Sequence, residues 1–127
     1  MNDVKQMKSF NIMSWNINGI RTKIEKPIVQ QLLLQYDVIC LYEVKTKMNI
    51  SFPGYVVYRS LASTSTHRGG TVLFVKNCLN KMISNVDVSK CDQLWVQFSF
   101  MPRIMFCFAY VPPADPPYYS HEYFIVI

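Results

Sequence analysis

Asn16, Glu43 and Tyr110 each stand at the end of an apolar run of strand length. In α/β sheets functional groups gather where strands end, because the strand holds the backbone still and the loop leaves room for a ligand. Glu43 is the most informative of the three. It follows Val38-Ile39-Cys40-Leu41-Tyr42 without a break, and Lys45 and Lys47 come just after it. A carboxylate at the end of a buried strand is costly unless something pairs it. A lysine can do so, and on residue type alone that is the commoner solution. A divalent cation also can. Mg²⁺ prefers hard oxygen ligands, usually one or two carboxylates completed by water and a substrate phosphate.

The elements that must position these groups read as follows. Phe10 to Trp15 has strand length and runs into the loop chemistry of Asn16-Ile17-Asn18-Gly19. Pro27 suits a first helical position, and Ile28, Val29, Leu32, Leu33 and Tyr36 recur at helical spacing, which predicts a helix over Pro27 to Gln35. Val38 to Tyr42 is a continuous apolar run, as in a strand covered on both faces. Strand, helix, strand in this order resembles a βαβ crossover. Beyond it the texture changes to short strands: Tyr55 to Arg59, Thr71 to Val75, Lys81 to Val88, Leu94 to Phe100 and Ile104 to Val111. This spacing predicts a mainly antiparallel sheet, with Met101-Pro102-Arg103 as a tight turn. Ser60 to Gly70 reads as a polar loop, Val111 to Pro117 as a proline-rich loop, and Ser120 to Phe124 as the opening of a helix. There is no internal repeat and no linker.

Composition bounds the function. The 127 residues are 50% hydrophobic and 14% aromatic, which excludes a disordered chain. The formal charge of +5 suits a polyanionic partner such as nucleic acid. Cys40, Cys78, Cys91 and Cys107 form no C-x-x-C pair and read as buried free thiols of a reducing compartment. No apolar signal core follows Met1, and no run approaches the roughly 18 residues of a membrane span. The expected setting is nuclear or cytoplasmic, with no membrane partner.

Four motifs in order then carry a resemblance. Ser14-Trp15-Asn16-Ile17-Asn18-Gly19-Ile20-Arg21, Cys40-Leu41-Tyr42-Glu43-Val44-Lys45, Arg68-Gly69-Gly70-Thr71-Val72-Leu73-Phe74 and Ala109-Tyr110-Val111-Pro112 resemble the successive motifs of the endonuclease/exonuclease/phosphatase family. The texture of Asn16 to Arg21, Asp37 to Leu41, Asp92 to Phe98 and Tyr110 to Asp115 is most similar to the endonuclease domains of non-LTR retrotransposons. The resemblance implies an α/β fold, the N-terminal half of a four-layer α/β/β/α sandwich with a mixed, mainly antiparallel sheet. It implies a Mg²⁺-dependent DNA endonuclease, with Mn²⁺ as a substitute ion and DNA as partner. Glu43 becomes the principal metal ligand, helped by Asn16, and Tyr110 a hydrogen-bond donor to the phosphate. Asn18, Arg21 and Lys45 become substrate contacts. Asn and Tyr suit this task because they bring no further negative charge to an anionic site.

The departures carry expectations of their own. Tyr42 replaces the family's usual Gln, and Pro113 an Asn. The family's later motifs, which orient and activate the attacking water, are missing, and His67 and His121 lie outside any such motif. His67 reads as an exposed loop residue. The chain ends on apolar Tyr123-Phe124-Ile125-Val126-Ile127. Residues 1–9 are expected to fray, and residues 10–127 to form a truncated domain, inactive alone and missing the sheet that faces its own. A reverse transcriptase domain would belong to the longer ancestor. Trp95 is expected in the sheet core, and Gly69-Gly70 to let the backbone turn into the next strand.

Overall fold

The computed structural model describes residues 9–60 and 70–110. The expectations placed on the N-terminal eight residues, on His67 in its polar loop, and on the proline-rich segment, the helix start and His121 beyond Tyr110 lie outside the described residues.

A strand–helix–strand unit opens the fold: β1 (Ile12–Asn16), α1 (Pro27–Leu33) and β2 (Val38–Tyr42). β1 and β2 are parallel neighbours in a register that sets Ile12 opposite Val38 and Asn16 opposite Tyr42. Pro27 starts α1, where its missing N–H is no loss. The helix stops at Leu33, two residues before the sequence-based boundary. There the bonding tightens to Gln35 N–H on the Leu32 carbonyl and Tyr36 N–H on the Leu33 carbonyl. β3 (Tyr55–Arg59) and β4 (Val72–Lys76) complete a mixed sheet in the order β1-β2-β4-β3, with β4 antiparallel to both its neighbours.

After β4 the chain makes one short helix not foreseen in the sequence, α2 (Asn77–Asn80), which buries Leu79. It then forms an antiparallel meander of β5 (Ile83–Asp87), β6 (Gln93–Phe98) and β7 (Phe106–Ala109). This second sheet lies face to face on the first. Val38, Cys40, Leu73 and Val75 pack against Leu94, Val96, Phe98 and Phe108. The other face of the first sheet, with Ile39, Leu41, Val72 and Phe74, packs against Leu33 of α1 and against Ile17, Ile20, Val44 and Phe52 from the loops. Hence β2 and β4 are buried on both faces, which is why both read as unbroken apolar runs. Phe74 stacks on Phe52 with centroids 5.5 Å apart. Its truncation to Ala costs on the order of 3–5 kcal/mol.

The observed class is the expected α/β one, with two sheets, one parallel strand pair and otherwise antiparallel pairing. Two expectations are corrected. The facing sheet is supplied, in three strands, by this chain itself, since the α2 turn carries the meander over the first sheet. Trp95 is not in the core. Strand periodicity puts it on the face of Gln93 and Gln97, where its Nε1–H donates to Gln93 Oε1 at 3.2 Å, while Leu94, Val96 and Phe98 point inward. The cysteines are free, but only Cys40 is fully buried; Cys91 is exposed, and Cys78 and Cys107 lie between these extremes.

Candidate active site

The topology brings five strand ends together. β1 and β2 end beside each other because they are parallel, and β4 begins there because it is antiparallel to β2. β6 begins and β7 ends at the same edge of the second sheet. The residues at these ends are Asn16, Glu43, Gly70, Asp92 and Tyr110.

The loop after β1 is held against the end of β2 by main-chain bonds. Ile17 N–H donates to the Tyr42 carbonyl (3.0 Å), Gly19 N–H to that of Glu43 (2.8 Å) and Ile20 N–H to that of Val44 (3.0 Å). Buried Ile17 and Ile20 anchor the same loop in the core. Asn16 Oδ1 accepts the Asn18 N–H at 3.1 Å, an Asx turn that explains the loop chemistry visible in the sequence. Asn18 has φ 49° and Gly19 φ 92°. The Lys23 ammonium donates to the carbonyls of Ile17 and Asn18, which ties the loop from beneath.

Glu43 has φ 54° and Lys45 φ 56°. Tyr110 Oη donates to Glu43 Oε1 at 2.7 Å, a contact between residues 67 apart in the chain and on different sheets. The Tyr110 ring stacks on Tyr42 with centroids 5.7 Å apart and planes at 28°. Burial, and then the neighbouring Cys40, push the Tyr42 phenol well above its usual range. It therefore stays neutral and adds no charge beside Glu43. Tyr42 thus has a defined task, as the platform for Tyr110. Lys45 Nζ donates to Asn18 Oδ1 at 2.6 Å. Arg21 is exposed and lines, with Gly19, Thr22 and Lys45, a recess of about 340 Å³.

All six residues expected from the sequence thus lie at one end of the sandwich. Asn16, Glu43 and Tyr110 come from three adjoining strand ends, and Asn18, Arg21 and Lys45 lie along one side. Asp92 was not among them. It is 4% exposed, and its carboxylate Oδ1 accepts the Gly70 N–H at 3.3 Å. The available signal was a carboxylate directly before an alternating strand.

The donor set suits a small hard cation. Glu43 offers a carboxylate and Asn16 an amide oxygen, at neighbouring ends of β1 and β2. Among the described residues no group of three His, Cys, Asp or Glu side chains converges. A Mg²⁺ here would complete its shell with water and phosphate, as that ion commonly does.

Comparison with solved structures agrees with this geometry. An AP endonuclease from Archaeoglobus fulgidus is 21% identical over 82% of this chain and 42% of its own, with a TM-score of 0.56. The APE2 catalytic domain of Xenopus laevis is 18% identical over 84% of this chain and 46% of its own, with a TM-score of 0.63. This chain has the AP-endonuclease fold. A 3′ phosphatase from Neisseria, bound to product DNA hairpin, shares it at 18% identity over 78% of this chain and 40% of its own, with a TM-score of 0.52. The chain thus spans less than half the length of each of these AP-endonuclease-fold structures. No family model and no curated protein matches the sequence.

Proposed function

We propose that residues 9–110 carry the metal-holding and phosphate-holding part of a Mg²⁺-dependent DNA endonuclease of the endonuclease/exonuclease/phosphatase family. The observation that carries this reading is the Tyr110–Glu43 hydrogen bond of 2.7 Å beside Asn16, on an AP-endonuclease fold. Glu43 and Asn16 hold the ion, for which Mn²⁺ is a substitute. Bound there, Mg²⁺ offsets the charge of a phosphodiester under attack. Asn16 supplies a neutral amide donor to the phosphate oxygens, and Tyr110 supplies a second when its hydroxyl turns from Glu43 to the phosphate. Lys45 and Arg21 contact the DNA backbone on either side of the recess they share. Water activation falls to the family's later motifs, which this sequence lacks, so the 127-residue chain alone is expected to bind without cutting. The motif texture supports a retrotransposon-type enzyme, with a reverse transcriptase domain in a longer protein acting in the nucleus or cytoplasm.

Supercoiled plasmid tests the reading. A complete enzyme carrying this domain is expected to nick it in Mg²⁺ and not in EDTA, and its Glu43→Ala form to lose that activity. Equal nicking by Glu43→Ala would remove Glu43 from the site. Nicking by the 127-residue chain alone would show that water activation lies within it. The Neisseria neighbour supports a second reading, a phosphatase acting on DNA 3′ ends. A 3′-phosphorylated hairpin offered beside the plasmid separates the two.

A further inference from the structure

Glu43 and Tyr110 belong to different sheets, so something must hold the two sheets in register at this end. A circuit of four hydrogen bonds does so. Val44 N–H donates to the Gly70 carbonyl at 3.1 Å. Gly70 N–H donates to Asp92 Oδ1 at 3.3 Å. Tyr110 N–H donates to the Asp92 main-chain carbonyl at 3.0 Å. Tyr110 Oη donates back to Glu43 Oε1 at 2.7 Å. In this circuit Asp92 joins the sheets with two atoms: its carboxylate grips the start of β4 and its carbonyl grips the end of β7.

Three observations show that the arrangement is specific. Asp92 is 4% exposed, and burying a carboxylate is expensive without hydrogen-bond partners. Its φ is 53°, a backbone region that Asp and Asn tolerate better than other non-glycine residues. Gly70 has φ 86°, and a Cβ there would meet only Val44 Cβ at 3.6 Å and Arg59 Nη2 at 4.0 Å, an ordinary contact. The backbone angle, not lack of space, therefore calls for glycine, and that angle presents the Gly70 N–H to Asp92.

We propose that Asp92 is a positioning residue of the site. Through Gly70 and Tyr110 it sets where the Tyr110 hydroxyl meets Glu43, and so the geometry offered to the cation. This rests on the metal-site reading above, and the experiment keeps the two apart. Asp92→Gly relieves the backbone angle and removes the acceptor, whereas Asp92→Asn keeps both the angle and an acceptor oxygen. Mn²⁺ affinity of the whole chain is measured by electron paramagnetic resonance, and amide exchange at Gly70 and Tyr110 by NMR. Asp92→Gly is expected to weaken Mn²⁺ binding about tenfold or more, the usual consequence of losing a group that orients a metal ligand. It is also expected to speed exchange at both amides, even though the Tyr110 partner is a main-chain carbonyl that the substitution leaves in place. Asp92→Asn is expected to restore both readouts to near wild type.

If exchange rises at Gly70 alone, with Tyr110 protection and Mn²⁺ affinity unchanged, Asp92 is only a local brace and the proposal falls. An Asp92→Asn protein as weak as Asp92→Gly also overturns it, because charge rather than the hydrogen bond would then matter. If wild type binds no Mn²⁺, the metal-site reading fails, and the coupling of Asp92 to Tyr110 is judged on exchange alone. Should Asp92→Gly not fold, Asp92→Glu moves the acceptor by one methylene and is expected to show the same losses in smaller degree.

Discussion

The two ends of the sandwich are built from different backbone. At the far end, where β2 begins and β4 finishes, conventional pairing closes the strands. Asp37 Oδ2 accepts the Asn11 N–H at 2.9 Å, and its Oδ1 pairs with Lys76 Nζ at 3.5 Å. Tyr55 Oη donates to the Tyr36 carbonyl at 2.6 Å. At the near end stand Asn18, Glu43, Lys45 and Asp92, which are all of the described non-glycine residues at positive φ. Such conformations cost of the order of 1–3 kcal/mol each, less for Asn and Asp. One end is built for stability. The other holds strained residues around the Glu43–Tyr110 contact. Strain concentrated where the polar groups meet is the expected mark of a functional end.

The sharpest way to break this comparison is Glu43→Gly. The substitution should lower Mn²⁺ affinity by at least about 100-fold, since even losses outside the ligand shell reach 10–100-fold. Because glycine accepts the positive φ freely, stability should stay within about 1 kcal/mol of wild type in denaturant unfolding. A loss of several kcal/mol would make Glu43 a structural residue and erase the contrast.

Asp37→Ala should do the reverse. It removes the acceptor of the exposed Asn11 N–H and the partner of Lys76, and should cost about 0.5–1.5 kcal/mol with Mn²⁺ affinity unchanged. A change in affinity would mean that the two ends are coupled through β2.

Between the ends lies Cys40. Burial pushes its thiol from an ordinary 9.0 up to about 12, partly opposed by the neighbouring Tyr42 hydroxyl. The folded state therefore keeps a proton that the unfolded chain releases. This contribution is complete below pH 9 and is lost as pH rises from 9 towards 12. The unfolding midpoint should fall over that window, and Cys40→Ala, though less stable throughout, should fall less steeply. Equal slopes would remove Cys40 as the cause.

The smallest effect belongs to Lys45→Gly. Relief of its φ should raise stability by up to about 1 kcal/mol. Loss of one backbone contact should reduce the salt slope of DNA binding by about 1, measured by fluorescence anisotropy. An unchanged slope would place Lys45 off the DNA path.

Local chemistry was legible from the chain. Val38 to Tyr42 announced a strand buried on both faces, Pro27 announced the start of α1, and Asn16 to Gly19 announced a tight loop, because each depends on neighbours a few residues away. Glu43 could be located for the same reason: it is the first charged residue after the buried run. The side to which Trp95 belongs was also encoded, since period two puts it with Gln93 and Gln97; what the alternation did not say was which face would meet the first sheet.

What tertiary structure alone decided is the pairing of distant residues. Only the packing of two sheets set Tyr110 on Tyr42 and against Glu43, turned Asp92 from a residue before a strand into a bridge, and supplied a facing sheet from within the chain. Periodicity describes each strand separately. Contacts between residues 67 apart are created by sheet order, parallel or antiparallel direction and face-to-face packing, which no short window of sequence contains.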